Sequence, residues 1–229
     1  MTEPAQPFQV DITINADRDA VWRTMTDPAE IRQWFGWDYD GIDAEIRHIF
    51  VEHVRPAPPD RILFEDGSAI ELTADGPLTG VRAVLAGPPQ GPDPDDLYNG
   101  VEEGWRTFFE QLRFLLETRP GGRRRTIYLT GVASGAELLA VGATGGRPWH
   151  GSRYQQMTVS DAGHLVAVAS QALLTSENVN PAAITISTYG LDDAGFAAVE
   201  EHWTKRWSAV SAARVTTEAG ESMVHPPGH

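Results

Sequence analysis

The sequence contains no cysteine. That absence removes disulfides, thiolate zinc sites and a cysteine nucleophile together. No apolar run reaches the roughly 18 residues of a membrane span, so no spanning helix is expected. The start, Met-Thr-Glu-Pro-Ala-Gln-Pro, lacks the basic end and apolar centre of a secretory signal. The expectation is a cytoplasmic protein. Clustered positive charge is also scarce. Arg123-Arg124-Arg125 is the one basic run, and it follows Pro120-Gly121-Gly122, which reads as an inter-domain linker. Residues 1–120 carry 23 acidic and 10 basic side chains, a net of −13, whereas residues 121–229 carry 9 and 8. A phosphate backbone needs clustered Lys and Arg, so no nucleic-acid partner is expected. Neither a Gly-x-Ser-x-Gly elbow, a Walker loop, a dinucleotide fingerprint nor a Cys/His cluster occurs, and no cofactor is expected.

What is present is ample for packed cores: 229 residues, 41% hydrophobic, with seven tryptophans. That length fits one large domain or two of about 110 residues. The chain is organised around residues 95–117. Val101, Trp105, Phe108, Phe109, Leu112, Leu115 and Leu116 recur at spacings of three and four, the mark of one apolar helix face. Glu102, Glu103, Arg106, Glu110 and Arg113 fall on the other face. Asp95 and Asp96 favour a helix start, and Pro120-Gly121-Gly122 stops it. Gly100 and Gly104 each cost about 1 kcal/mol relative to Ala in a helix. They either leave space for a ligand or permit close packing on a sheet.

The pattern repeats. Val101-Glu102-Glu103-Gly104-Trp105 is echoed by Val199-Glu200-Glu201-His202-Trp203, on a second amphipathic helix. Arg32-Gln33-Trp34-Phe35-Gly36 is echoed by Arg147-Pro148-Trp149-His150-Gly151 in the same chain order. Two ordered echoes point to an internal duplication, in which Trp105 and Trp203 are equivalent.

In order, residues 8–14 alternate as a strand, and Asp17 opens a helix through Trp22 and Met25. Asp27-Pro28-Ala29-Glu30 is a second helix start, with a capping Asp and Pro at the first helical position. Residues 44–54 are apolar on both faces and read as a central strand. Strands follow at 61–65, 69–74 and 78–86, with turns at Asp66-Gly67 and Asp75-Gly76-Pro77. A Pro/Gly/Asp-rich loop covers 87–95. The second half reads as strand 126–131, a short helix 134–141, a loop bearing Trp149, strands 152–160, 164–174 and 182–189, and a final helix from Asp192-Asp193. Residues 215–229 read as a disordered tail.

The first half, from about residue 8 to 118, resembles Hsp90-ATPase-activator-homologue-like members of the START / Bet v 1-like (SRPBCC) superfamily. The resemblance rests on Ile14-Asn15-Ala16-Asp17-Arg18-Asp19-Ala20-Val21-Trp22, then Thr26-Asp27-Pro28-Ala29-Glu30-Ile31, Trp34-Phe35, Pro59-Asp60-Arg61-Ile62-Leu63-Phe64 and Gly104-Trp105. It departs after Trp34-Phe35, where members of that group usually carry a Gly-Gly strand pair. The resemblance implies an α+β helix-grip fold: an antiparallel sheet around a long C-terminal helix, with an apolar cavity between them. The expected layout is a helix-grip domain at 8–119 and a shortened, diverged copy at 126–214.

The resemblance also places the cavity mouth after the second helix, at Trp34, Phe35, Trp37 and Tyr39. Trp105 and Phe109, with Gly100 and Gly104, lie on the helix that would cover it. Phe50 adds to this aromatic set, and His48 or Arg47 would be the polar handle. Core packing is the competing reading for each aromatic. His48, Glu52 and His53 are metal-capable, but on a strand His53 points away from the other two, so no metal site is expected. His150, beside Arg153 and Tyr154 in a Gly-flanked loop, suits a small anion or polar ligand, or plain solvation. The expected partner is a small apolar or amphipathic molecule bound without catalysis. A cyclase- or hydrolase-type enzyme and a chaperone-ATPase regulator remain open, as does a homodimer.

Overall fold

The computed structural model describes residues 8–85 and 100–224. The segment 87–95 and the acidic pair at 95 and 96 lie outside them. Two compact units divide the chain. The first takes the chain up to Phe35 and again from Asp43 to Arg119; the second takes Gly36–Ile42 and the chain from Pro120 onward.

In the first unit, β1 (Phe8–Ile14) leads into α1 (Arg18–Thr26) and α2 (Pro28–Ile31). Caps set the helix ends. The Asp17 carboxylate accepts from Ala20 N–H at 2.9 Å, and Asp27 ends α1 while its carboxylate accepts from Ala29 N–H at 2.9 Å to begin α2. After α3 (Ile42–Arg47) the chain widens into one π turn, His48–Glu52. Strands β2 (Val54–Ala57), β3 (Arg61–Phe64), β4 (Ala69–Asp75) and β5 (Leu78–Leu85) then form antiparallel hairpins. Helix α4 (Gly100–Thr118) closes the unit. The five strands order as β1-β5-β4-β3-β2, because β1 pairs antiparallel along the whole of β5. Inward residues Val10, Ile14, Ile62, Ile70, Leu72, Val81 and Ala83 alternate along the strands and are buried, as are Phe109 and Leu112 of α4.

The second unit repeats this topology. Strand β6 (Arg124–Ala133), α5 (Gly135–Gly142), β7 (Arg147–Gly151), β8 (Gln155–Val159), β9 (Leu165–Ser170), β10 (Asn180–Tyr189) and α6 (Asp193–Trp207) succeed one another. Two further strands, β11 (Ser211–Thr217) and β12 (Gly220–Met223), follow the helix. The sheet orders as β12-β11-β6-β10-β9-β8-β7. Its run β6-β10-β9-β8-β7 matches β1-β5-β4-β3-β2 strand for strand, with α6 in the place of α4. Each unit is therefore an α+β helix-grip arrangement, an antiparallel sheet with one long helix after its last hairpin strand. Phe196, Trp203 and Trp207 of α6 are buried in one apolar cluster with Ile127, Leu129, Val166, Val168, Ile184, Ile186 and Val215. The Trp207 indole N–H donates to the Thr130 carbonyl at 2.9 Å.

Several sequence expectations are corrected. Residues 44–54 are not a central strand. Ile46 and Phe50 are buried from a helical path, and apolar positions on both faces fit a buried helix as readily as a strand. The second copy is reduced in its helices, with α5 alone standing where α1, α2 and α3 stand in the first, but not in its strands. Residues 215–223, expected as tail, are paired: Val215 with Leu129, and Thr216 with Glu221. Arg124 and Arg125 are not linker but the start of β6, and Arg124 is only 1% exposed. The echo of 32–36 in 147–151 has no structural counterpart, since Trp34 follows α2 while Trp149 sits in β7. The other echo falls on the equivalent helices α4 and α6. The polar face of α4 is not all solvated, because Glu103 and Glu110 are buried. Glu110 pairs with Arg113 at 2.9 Å, and Glu103 with Arg106 at 3.6 Å, so pairing along the helix compensates these charges. Val101, by contrast, is 59% exposed.

Two stability measurements follow. Phe109→Ala should cost about 3–5 kcal/mol, while Val101→Ala should stay within about 0.5 kcal/mol, both read by urea unfolding. Burial, partly opposed by the charge of Arg124, raises the Tyr189 phenol to about 12. The fold therefore favours its protonated form. That contribution is complete below the ordinary phenol value of about 10 and disappears as pH rises toward 12. Ultraviolet titration should show a tyrosine component ionising at about pH 12 that Tyr189→Phe removes, with stability falling over the same window.

Candidate functional site

The first unit gathers most of the expected aromatics around one ring. Phe50, pointing inward from the π turn, lies 5.0 Å from Phe35, 5.9 Å from Trp34, 6.2 Å from Phe64 and 6.3 Å from Trp105 between ring centroids. Phe108 sits 4.7 Å from Phe35, and Phe109 5.5 Å from Trp105. Most pairs are edge-to-face or tilted, the favoured arrangement, worth about 0.5–1.5 kcal/mol each beyond area burial. Trp34, Phe35, Phe50 and Phe109 are buried. The Trp34 indole N–H donates to the Thr24 carbonyl at 2.9 Å, which orients the ring. Trp105, Phe108 and Phe64 are only half-buried, so the cluster has a closed centre and an open edge.

Gly104 lies at that edge, one turn before Phe108 on the same helix face. A Cβ built there would meet no heavy atom of the described residues within 4 Å. Among the described residues, the missing side chain therefore reflects open space rather than close packing on the sheet. Gly100 is exposed. The acids next to Gly104 are held by one cation: Arg106 lies 2.8 Å from Glu102 and 3.6 Å from Glu103.

Trp37 and Tyr39 do not join this cluster. They belong to Gly36–Ile42, which is part of the second unit. There Trp37 stacks on Tyr128 of β6, with centroids 4.0 Å apart and planes 14° from parallel. The segment is fixed by Asp38, which is fully buried. Its carboxylate accepts from Thr126 N–H at 2.6 Å and from the Thr126 hydroxyl at 3.2 Å, while its own N–H donates to that hydroxyl at 2.5 Å. The Arg124 guanidinium donates to the Gly36 carbonyl at 2.7 Å and to Ser187 Oγ at 3.1 Å. The expected aromatic wall at 34–39 is thus split at Gly36, whose φ of +58° turns the chain.

His48 is 65% exposed and stands outside the aromatic cluster, so it is no polar handle for it; Arg47 is exposed as well. The π turn instead brings His48, Glu52 and His53 together, with one ligand-capable atom from each within 4.8 Å of the others. The strand assignment had set them apart. The His150 segment is an edge strand rather than a loop. It borders a cleft of ≈ 380 Å³ lined by Pro148, Trp149, His150, Gly151, Ser152, Gln155, Gln156, Met157 and Leu174. Arg147 lies over the Trp149 ring at 4.9 Å. No helix among the described residues is long and apolar enough to cross a membrane.

No family model matches the sequence, and no curated protein matches it significantly. Among solved structures, the chain is similar to the di-domain ARO/CYC BexL from the BE-7585A biosynthetic pathway. Identity is 14% over 85% of this chain and 88% of that one, with a TM-score of 0.31. It is also similar to the di-domain ARO/CYC StfQ from the steffimycin biosynthetic pathway, at 9% identity over 80% and 85% of the two chains and a TM-score of 0.31. At these TM-scores the likeness supports neither a shared activity nor a shared ligand.

Asp38→Ala should remove the acceptor of a buried N–H and cost about 1–3 kcal/mol. Asp38→Asn, which keeps one acceptor oxygen, should cost less. Urea unfolding of both variants measures the difference, and equal costs would show that the Thr126 N–H does not need this oxygen.

Proposed function

We propose that the first unit binds a small apolar or amphipathic molecule at the open edge of its aromatic cluster, against Trp105, Phe108 and Phe64, without changing it chemically. The observation that carries this reading is the unoccupied space at Gly104. A helix former at that position would gain about 1 kcal/mol, yet the chain keeps a glycine where no described residue crowds it. Sites for small molecules combine an apolar wall with few polar groups, and this edge is of that kind. Trp34, Phe35, Phe50 and Phe109 back the wall from inside. The net charge of −13 over residues 1–120 favours a neutral or cationic molecule over an anion.

Binding without catalysis is preferred over a cyclase-type reaction because general acid–base chemistry needs a group poised to exchange a proton. The two acids that precede Gly104 on the helix, Glu102 and Glu103, are both engaged by Arg106. No observation favours a chaperone-ATPase role.

Nile red, neutral and apolar, tests the reading. Wild type should bind it at micromolar concentration with quenching of Trp fluorescence. Gly104→Leu should bind at least about tenfold more weakly, a change of 1.4 kcal/mol, while unfolding at equal or higher urea. Equal binding by the two proteins, or none by wild type, would reject the site.

A further inference from the structure

We propose that the outer face of the π turn is a binding site for a borderline divalent transition-metal ion such as Zn²⁺ or Ni²⁺, held by His48, Glu52 and His53 and braced by Glu65. This is independent of the apolar site.

The backbone makes the convergence. His53 N–H donates to the His48 carbonyl at 3.2 Å, an i+5 to i bond that sets residue 53 one wide turn above residue 48. On a regular α-helix residue i+5 would be rotated by roughly 140°, and on a strand it would face the opposite side. The imidazoles of His48 and His53 lie 4.2 Å apart between centroids, and Glu52 Oε2 is 3.9 Å from His48 Nδ1. The ligand-capable atoms of all three fall within 4.8 Å of one another. Around a tetrahedral zinc, with bonds of about 2.0–2.1 Å, ligand atoms stand roughly 3.4 Å apart. Rotation of the exposed His48 and Glu52 side chains closes that gap.

A second, separate feature points to a metal. Glu65 Oε2 lies 2.7 Å from His53 Nδ1. A carboxylate on one ring nitrogen orients the imidazole and directs the other nitrogen toward an ion, the arrangement that supports histidine ligands in metal sites. Glu65 is itself placed by its backbone, since its N–H donates to the His53 carbonyl at 3.1 Å, one step beyond the β2–β3 ladder. Phe50, buried on the inner side of the same turn, anchors the site from beneath. Two imidazoles and a carboxylate suit zinc or nickel rather than magnesium or calcium, which prefer all-oxygen shells. Three protein ligands leave positions for water.

Calorimetric titration of the full chain with ZnCl₂, in metal-free buffer, tests this. Wild type should take up one Zn²⁺ per chain with a micromolar Kd, undisturbed by millimolar Mg²⁺. The double variant His48→Ala/His53→Ala should lose that binding. Glu65→Gln should weaken it by roughly 10–100-fold. His225→Ala/His229→Ala should leave it unchanged, and far-UV circular dichroism should match wild type throughout. Titration with Co²⁺ should give visible absorption bands in wild type that the double variant lacks. Failure of wild type to bind at 1:1, or equal binding by the His48→Ala/His53→Ala variant, would overturn the assignment. So would loss of binding in His225→Ala/His229→Ala.

Discussion

The first unit depends on where Phe50 points. Its ring packs against aromatics from three separate places in that unit: Trp34 and Phe35 after α2, Phe64 at the end of β3, and Trp105 on α4. An α-helix continued from α3 through residue 52 would keep its 100° step and carry His53 away from His48. The π turn absorbs one residue, which leaves Phe50 inside and delivers the chain to β2 in register with β3. Such widened turns are rare and often mark functional positions. Here the inward side supplies the centre of the aromatic cluster, and the outward side gathers two imidazoles and two carboxylates.

The second unit rests on a different constraint, the satisfaction of buried charge. Asp38 and Arg124 are almost wholly removed from solvent, and an uncompensated charge there would cost several kcal/mol. Thr126, Gly36 and Ser187 supply the hydrogen bonds. A seven-residue excursion, Gly36–Ile42, is thereby held to the second unit although it comes from the first half of the chain. Helix α6 meets its sheet through a continuous apolar core that includes Trp203. Trp105, its counterpart in the echoed sequence, is half-buried beside the open space at Gly104. The two units share a strand order and differ in how deeply the tryptophan of the long helix is buried.

Part of the candidate site is readable from the sequence. Trp34 and Phe35 come from the family resemblance, Trp105 and Phe109 from helix periodicity, which marks inward faces, and Gly104 from the question that a glycine inside a helix raises. Trp37 and Tyr39 were misplaced because adjacency in sequence says nothing about which side of a positive-φ glycine a residue will follow. Glu65 gave no signal: it lies 12 residues from His53 and reaches it only through hairpin pairing. Phe108 is marked by the helix face and Phe64 by the resemblance, but their place in one ring cluster, and that of Thr126 on the buried carboxylate, is visible only in the tertiary structure.

Local chemistry determined the caps at Asp17 and Asp27, the hairpin turns, the two long amphipathic helices and the echo between them. The caps, turns and helix faces depend on residues within about one or two turns of one another, and the echo is a match between two such local patterns. The tertiary structure decided the rest. Apolar positions on both faces of 44–54 satisfy a strand and a helix equally, and only the packing of Phe50 against residues far along the chain selects the helical path. Arg124 read as linker because a basic residue after Pro-Gly-Gly is normally solvated. Its burial requires partners at Gly36 and Ser187, 88 and 63 positions away, which no local pattern can supply.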